Sequence, residues 1–443
     1  MRKANILFLL FCITCNSFSQ VSQKDFDFLT KYYNSQYKNL INARGIDTAT
    51  YFSSKYINQN DPSKISGVLN KYFGETNAKI AALMYFYYDS TFFVFIADRK
   101  KVTKLSEVKI SFADVTGLNN KIINSLKLTK NLQNRAPRKR GANLIEKEEE
   151  VDFDAINAFA SNLLIPDSSI LSYDHLIIVP CMNLGAFPFY LLKWKEKYLV
   201  DYLSYSIAPS LIEVEASCKK NEAKLHSNSM GRKVKYTFEK PLLVANPQYP
   251  TRTNFIFPDL PGAKDEVEGS LKFFDGIPYT YYTGAAATKQ NVLKEFKQHD
   301  LIYFATHGIS SSTSPLDSCF LVLGGEKNAF FTNREILKYF DSTTNMDLVI
   351  LSACQTGLGK SMDAGIIGLS RAFQIAGANH VVMSLWNVDD EATAYLMQRF
   401  IMYIQVSNIF FPAEPLRKAI LSTKEKYPDP SKWASFAVFG VPY

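Results

Sequence analysis

The sequence predicts an α/β fold with a mostly parallel sheet flanked by helices, and three observations carry that expectation. First, from residue 240 onward short apolar runs alternate with helix-patterned segments, the order that builds a sheet with helices on both faces. Second, the runs are nearly all apolar, as in PLLVAN (241–246), DLIYFAT (300–306), DLVILSA (347–353) and HVVMSLW (380–386). Strands covered on both faces have this pattern; strands with one wet face alternate. Third, the segments between them carry helix punctuation. Leu260-Pro261-Gly262 enters a helix over 264–274, and Thr288 is placed as the N-cap of 288–296. Further helices are expected over 332–340, 365–376, 390–404 and 416–426, and further strands at CFLVLGG (319–325) and ASFAVFG (434–440).

The 443 residues suffice for two or three domains. Apolar residues make up 47% and aromatic ones 14%, which excludes a disordered chain. The net charge of +8 is mild for this length, and no clustered basic stripe calls for nucleic acid. Arg2 and Lys3 precede an apolar run from Ile6 to Ile13, followed by Ser17-Phe18-Ser19. This is the plan of a signal peptide over residues 1–19, and it predicts export to a periplasmic or extracellular space. Cys15 offers a lipoprotein cut as the weaker alternative, since Cys12 stands where Leu is usual. No later run is long and apolar enough to span a membrane, so no integral membrane segment is expected.

Cys181, Cys218, Cys319 and Cys354 remain after such a cleavage, with no CxxC pair among them. They do not form a disulfide framework, although a Cys181–Cys218 bridge stays open. None of the five histidines has zinc-like spacing to a cysteine or another histidine. No metal site is expected.

Residues 20–74 are expected to be a short helical segment, with Ile65, Val68, Leu69 and Tyr72 at helical spacing. Residues 75–213 open on the hairpin pattern IAALMYFYYD and TFFVFIAD and contain the buried-strand pattern HLIIVP (175–180). Within them RAPRKRGANLIEKEEEV (135–151), a basic block followed by an acidic one, is expected to be a solvated loop. Residues 214–239 are polar and charged and are expected to link to the last part, 240–443.

Ligands of such sheets bind at the carboxyl ends of the strands. LIYFAT runs out into His307-Gly308, and LVILSA into Cys354-Gln355-Thr356-Gly357. If the two strands are neighbours, an imidazole and a thiol share one rim about 5 Å apart across the sheet. The imidazole can take the thiol proton and later protonate a leaving amine. Gly308 lets its N–H approach a carbonyl oxygen closely, and with the Cys354 N–H it would form an oxyanion hole. The bland alternative is a buried cysteine beside a loop histidine. No glycine-rich phosphate loop is present to suggest a nucleotide cleft.

Residues from about 240 to the end resemble the CHAT-domain peptidases, caspase-like proteins often joined to TPR repeats and related to separases. The likeness is carried by LPGAKDEVEGSLKFF (260–274), ATHG (305–308), LSACQTGLG (351–359), GIIGLSRAFQIAGANHVVMSLWNVDDEAT (365–393), LRKAI and WASFAVFG. A weaker likeness runs through LIIVPCMNLGAFPFYLL (176–192) and YLVDYLSYSIAPSL (198–211), back to about residue 75. The resemblance implies a cysteine endopeptidase acting on a protein or peptide substrate, with Cys354 as nucleophile, His307 as general base, Gly308 at the oxyanion hole and no cofactor. It also implies that 75–213 is a caspase-like half without the dyad, preceding the catalytic half. The family's long repeat array is reduced here to about fifty residues, so a regulatory protein partner is expected only in outline.

Trp386, Asp389 and Asp390 follow a strand on the same rim. The Trp would wall a subsite, and either Asp would attract a basic P1 side chain; either Asp is also an ordinary N-cap. Asp363 and Asp265 are weaker candidates for that role. A basic P1 preference would make Arg135–Arg140 a self-cleavage site. Ser310 to Ser314 is expected to be a mobile loop beside His307. Cys319 is placed in the core, and His175, His226, His299 and His380 are given no chemistry. The alternative to an enzyme is a caspase-like scaffold that binds a peptide or partner without cutting it.

Overall fold

A computed structural model describes residues 64–74, 77–133, 152–209, 211–221, 238–309, 316–338, 346–353, 360–362, 365–386, 390–407 and 411–442. The Ile65–Phe73 helix is followed by an antiparallel meander of β1 (Ile80–Tyr88), β2 (Thr91–Ala97) and β3 (Val102–Lys109). Asp89 and Ser90 make the first turn with φ of 46° and 56°, the left-handed geometry that suits a two-residue hairpin. Then come β4 (His175–Val179), a hairpin of β5 (Lys193–Trp194) and β6 (Lys197–Tyr198), and β7 (Ser204–Ile207). The later strands are β8 (Pro241–Pro247), β9 (Thr280–Gly284), β10 (Leu301–Ala305), β11 (Gly308–Ile309), β12 (Phe320–Val322) and β13 (Phe330–Thr332). They continue with β14 (Met346–Ser352), β15 (Lys360–Met362), β16 (Gly365–Ile367), β17 (Ala378–Ser384) and β18 (Phe436–Phe439).

Eleven strands form one sheet in the order β3-β2-β1-β4-β7-β18-β17-β14-β10-β8-β9. Seven of its ten neighbouring pairs are parallel, so the sheet is mostly parallel as the sequence predicts. Its centre is apolar on both faces: Leu301 to Ala305, Leu348 to Leu351 and Val381 to Met383 are fully buried. Helices Pro261–Leu271, Asp390–Val406 and Ala413–Lys426 pack beside one another.

Thr288 caps the Lys289–Glu295 helix, accepting from the Asn291 N–H at 3.2 Å. Thr332 caps Asn333–Leu337 through a reciprocal bond with Glu335. Two elements differ from expectation. The run at 319–325 does not enter the main sheet; β12 pairs antiparallel with β11 and β13 in a small sheet of its own. Only ten residues separate β11 from β12, too few for the crossover that a parallel strand needs. The helix expected over 365–376 begins at Leu369, because Gly365–Ile367 pairs with Lys360–Met362. The β-branched pair Ile366-Ile367 between two glycines favours a strand there.

The sheet runs through both parts of the chain, because β18 from the C-terminus sits between β7 and β17. The stretch from 214 begins within the Leu211–Lys220 helix, whose Val214 and Cys218 are buried. Glu213 of that helix is ion-paired with Arg371, and Lys220 Nζ donates to the Gly377 carbonyl at 2.8 Å. Arg417 Nε donates to the Val200 carbonyl at 2.7 Å, and Lys424 is paired with Asp201 at 2.6 Å. Cys218 is a free thiol, so the Cys181–Cys218 bridge is absent. Among the described residues no helix is long and apolar enough to cross a membrane, and no cluster of metal-binding side chains occurs. The signal-peptide segment and the Arg135–Arg140 loop lie outside the described residues.

Candidate functional site

The rim is built by two neighbouring strands. β10 and β14 run parallel with Ala305 opposite Ser352, and the Thr306 N–H donates to the Ser352 carbonyl at 3.3 Å. His307 therefore leaves β10 beside the point where Ser352-Ala353 leaves β14. Cys354, one residue further, lies outside the described residues, as do Asp363, Asp389 and the 310–314 loop.

The His307 ring is held on several sides. Nε2 bonds the Pro258 carbonyl at 2.8 Å. A carbonyl only accepts, so Nε2 carries the proton and Nδ1 of the neutral ring is left as the acceptor. Tyr249 and Phe257 flank the ring at centroid distances of 4.7 and 5.5 Å. Partial burial lowers the His307 pKa, against upward pulls from the Pro258 carbonyl and from Asp390. The neutral ring, the form a general base needs, is thereby favoured. Thr306 donates to the Val322 carbonyl at 2.5 Å, and the Val322 N–H donates to the His307 carbonyl at 2.9 Å. The small sheet thus pins the backbone on both sides of the imidazole.

Gly308 opens β11 opposite Leu321 and is buried. Asp390 begins the Asp390–Val406 helix and lies against Gly262, where an added Cβ would come 2.6 Å from the Asp390 Cβ. Its carboxylate is the smallest of the influences on the His307 pKa, acting upward. Trp386 does not wall a subsite. It is 4% exposed and its Nε1 donates to the Ser431 carbonyl at 3.3 Å, so it fills the core beside the strand end. Asp265 is exposed on the Pro261–Leu271 helix. Cys319 is buried, as expected.

The other described histidines are structural. His175 bonds Ser204 and Ser206 at 2.9 and 3.2 Å, and burial drives its pKa down to about 3. His299 bonds the Lys240 carbonyl at 2.7 Å and His380 the Val441 carbonyl at 2.9 Å. His226 lies outside the described residues.

Two contributors were missed from sequence. The Pro258 carbonyl has no side-chain signature. Glu266, 3% exposed, receives hydrogen bonds from the Tyr303 hydroxyl and from Ser352 Oγ, the latter at 3.0 Å. Burial raises its pKa to about 8, with Asp390 adding to the rise and the two hydrogen bonds opposing it. A signal existed: Glu266 shares the buried face of its helix with Val267 and Ser270, where a carboxyl group is out of place unless it has partners.

This large, mostly parallel sheet flanked by helices defines a caspase-like fold. Residues 156–441 match the CHAT domain, and the chain belongs to the CHAT domain family. Among solved structures it is similar to the separase–securin complex of Saccharomyces cerevisiae, with a TM-score of 0.55 and 12% identity over 96% of this chain and 34% of that one. Tetratricopeptide repeat protein 28 of Homo sapiens is 25% identical over 60% of this chain, and that of Mus musculus 25% over 45%. The chain spans only 12% and 9% of the length of those two relatives.

Proposed function

We propose that this chain is a cysteine endopeptidase acting through His307 and Cys354. The observation that carries the reading is the parallel pairing of β10 with β14, Ala305 opposite Ser352, with His307 fixed through Nε2 to the Pro258 carbonyl. In this reading Nδ1 takes the Cys354 thiol proton. The sulfur attacks the scissile carbonyl carbon, the C–S bond forms, and the carbonyl π pair moves onto oxygen. The Gly308 and Cys354 N–H groups receive that charge; losing one such donor typically costs about 100- to 1000-fold in rate. The oxyanion collapses, the C–N bond breaks, and the imidazolium gives its proton to the leaving amine. Water, deprotonated by His307, then cleaves the thioester to a carboxylate and the free thiol.

Asp390 places a carboxylate on the rim, which supports a basic P1 side chain, with Asp389 as its neighbour in sequence. With that preference, the Arg135–Arg140 loop becomes a site of self-cleavage. The N-terminal signal pattern supports export. The repeat-protein relatives and the separase–securin likeness support regulation by a protein partner.

A catalytically silent scaffold that binds a peptide is the second reading, favoured by curated relatives named for their repeats and not for peptidase activity. Labelling by an electrophilic peptide with arginine at P1, in reducing buffer, separates the two. The peptidase reading expects labelling of wild type and none of Cys354→Ala. Absence of labelling in wild type, with retained peptide binding, supports the scaffold.

A further inference from the structure

The Pro261–Leu271 helix lays one buried side chain across the two strands that end at the candidate dyad. Glu266 Oε1 accepts from Tyr303 of β10, and Oε2 accepts from Ser352 of β14 at 3.0 Å. Tyr303 lies four residues before His307, and Ser352 two before Cys354. Each of the two strands is thus tied to a different oxygen of one carboxyl group. The group is sealed from water, and Tyr303 is fully buried with it. No part of the proposed proton transfers uses Glu266. An apolar residue would satisfy the packing at this depth without leaving a carboxyl group to be partnered.

We propose that Glu266 is a positioning residue that fixes the spacing between the strand ends carrying His307 and Cys354. The inference rests on the peptidase reading. A carboxyl group bonded to both strands resists their sliding along or apart, because either motion leaves a buried hydroxyl without its acceptor. The rise of its pKa to about 8 favours the neutral group at neutral pH, so it can brace the two strands without adding a charge between them. Tyr303 on β10, Ser352 on β14 and Asp390 on the neighbouring helix are the polar or charged groups that act on it.

The test is alkylation of Cys354 by iodoacetamide in the full chain, followed by mass spectrometry from pH 5 to 9. This reagent needs neither a substrate nor its subsites. Wild type at pH 6 should react at least about tenfold faster than His307→Ala, because a paired imidazole maintains thiolate below the range of a free thiol. Glu266→Leu should lose most of that advantage and shift the acid limb of the profile to higher pH. Glu266→Gln, which keeps neutral partners for both hydroxyls, should restore the rate to within about threefold of wild type. Ser352→Ala cuts only the tie to β14 and should reproduce much of the loss; it decides the matter if Glu266→Leu does not fold. A purely structural Glu266 would lower the melting temperature and leave the acid limb in place. Unchanged profiles in Glu266→Leu and Ser352→Ala, with wild type still faster than His307→Ala, overturn the positioning role alone. Equal rates in wild type and His307→Ala overturn the dyad and the positioning role together.

Discussion

A carboxyl group removed from water keeps its proton, and Glu266 shows the consequence for stability. Its pKa is raised from an ordinary 4.5 to about 8 in the folded chain. Below pH 4.5 both folded and unfolded chains carry the proton, so its stabilising contribution is fully present. Between 4.5 and 8 only the unfolded chain ionises, and stability falls as pH rises, by about 1.4 kcal/mol per pH unit from this group. Urea unfolding of Glu266→Gln between pH 5 and 8 should show that component of the slope removed; a slope equal to wild type contradicts the assignment. At this scale the sequence was informative where a side chain closes an apolar run. His307 follows β10, and Asp390 begins a helix after β17, as their positions after apolar runs suggest. It was uninformative for the Pro258 carbonyl, since every residue has one. It was misleading for Trp386, because an indole after a strand suits core and subsite equally, and only packing against the last turn of chain decides.

The element that joins these residues is the Pro261–Leu271 helix. Its N-terminus begins at a proline that fixes φ, its middle carries Glu266, and its start is crowded by Asp390. A Cβ at Gly262 would come 2.6 Å from the Asp390 Cβ, closer than carbon atoms pack. Gly262→Ala should therefore displace the start of the Asp390–Val406 helix, lowering stability by about 1–3 kcal/mol. It should also slow labelling by the arginine peptide more than alkylation by iodoacetamide. Equal melting temperatures and equal labelling rates would show that the contact is slack. The central parallel strands were legible because both their faces are buried. The β12 run was not, since it is as apolar as they are; what differs is the short connection before it, which reverses its direction.

Over the whole molecule, one sheet makes one folding unit of two apparent halves. Phe439 of β18 pairs with Ile207 of β7, and the Arg371–Glu213 ion pair ties the helices on either side of the chain's polar stretch. Trp194 belongs to the first half, Trp386 and Trp433 to the second. Indole fluorescence and far-ultraviolet dichroism should therefore report the same unfolding midpoint. Arg371→Met removes the guanidinium partner of the partly buried Glu213 carboxyl and should lower that shared midpoint. Two separated transitions in wild type would mean that the halves fold independently. The continuity was not legible in the sequence. A C-terminal strand carries no mark of which neighbours it will join, and the composition shift after residue 213 resembles a linker although a packed helix lies within it.

The central claim is that His307 and Cys354 together cut peptide bonds. Hydrolysis of an internally quenched peptide library by the full chain in reducing buffer tests it most directly. Wild type should turn the library over, with cleavage after basic residues, and both Cys354→Ala and His307→Ala should lose at least about a thousandfold in kcat/KM. Turnover that survives Cys354→Ala would contradict it, as would a folded wild-type chain that cleaves no member of the library.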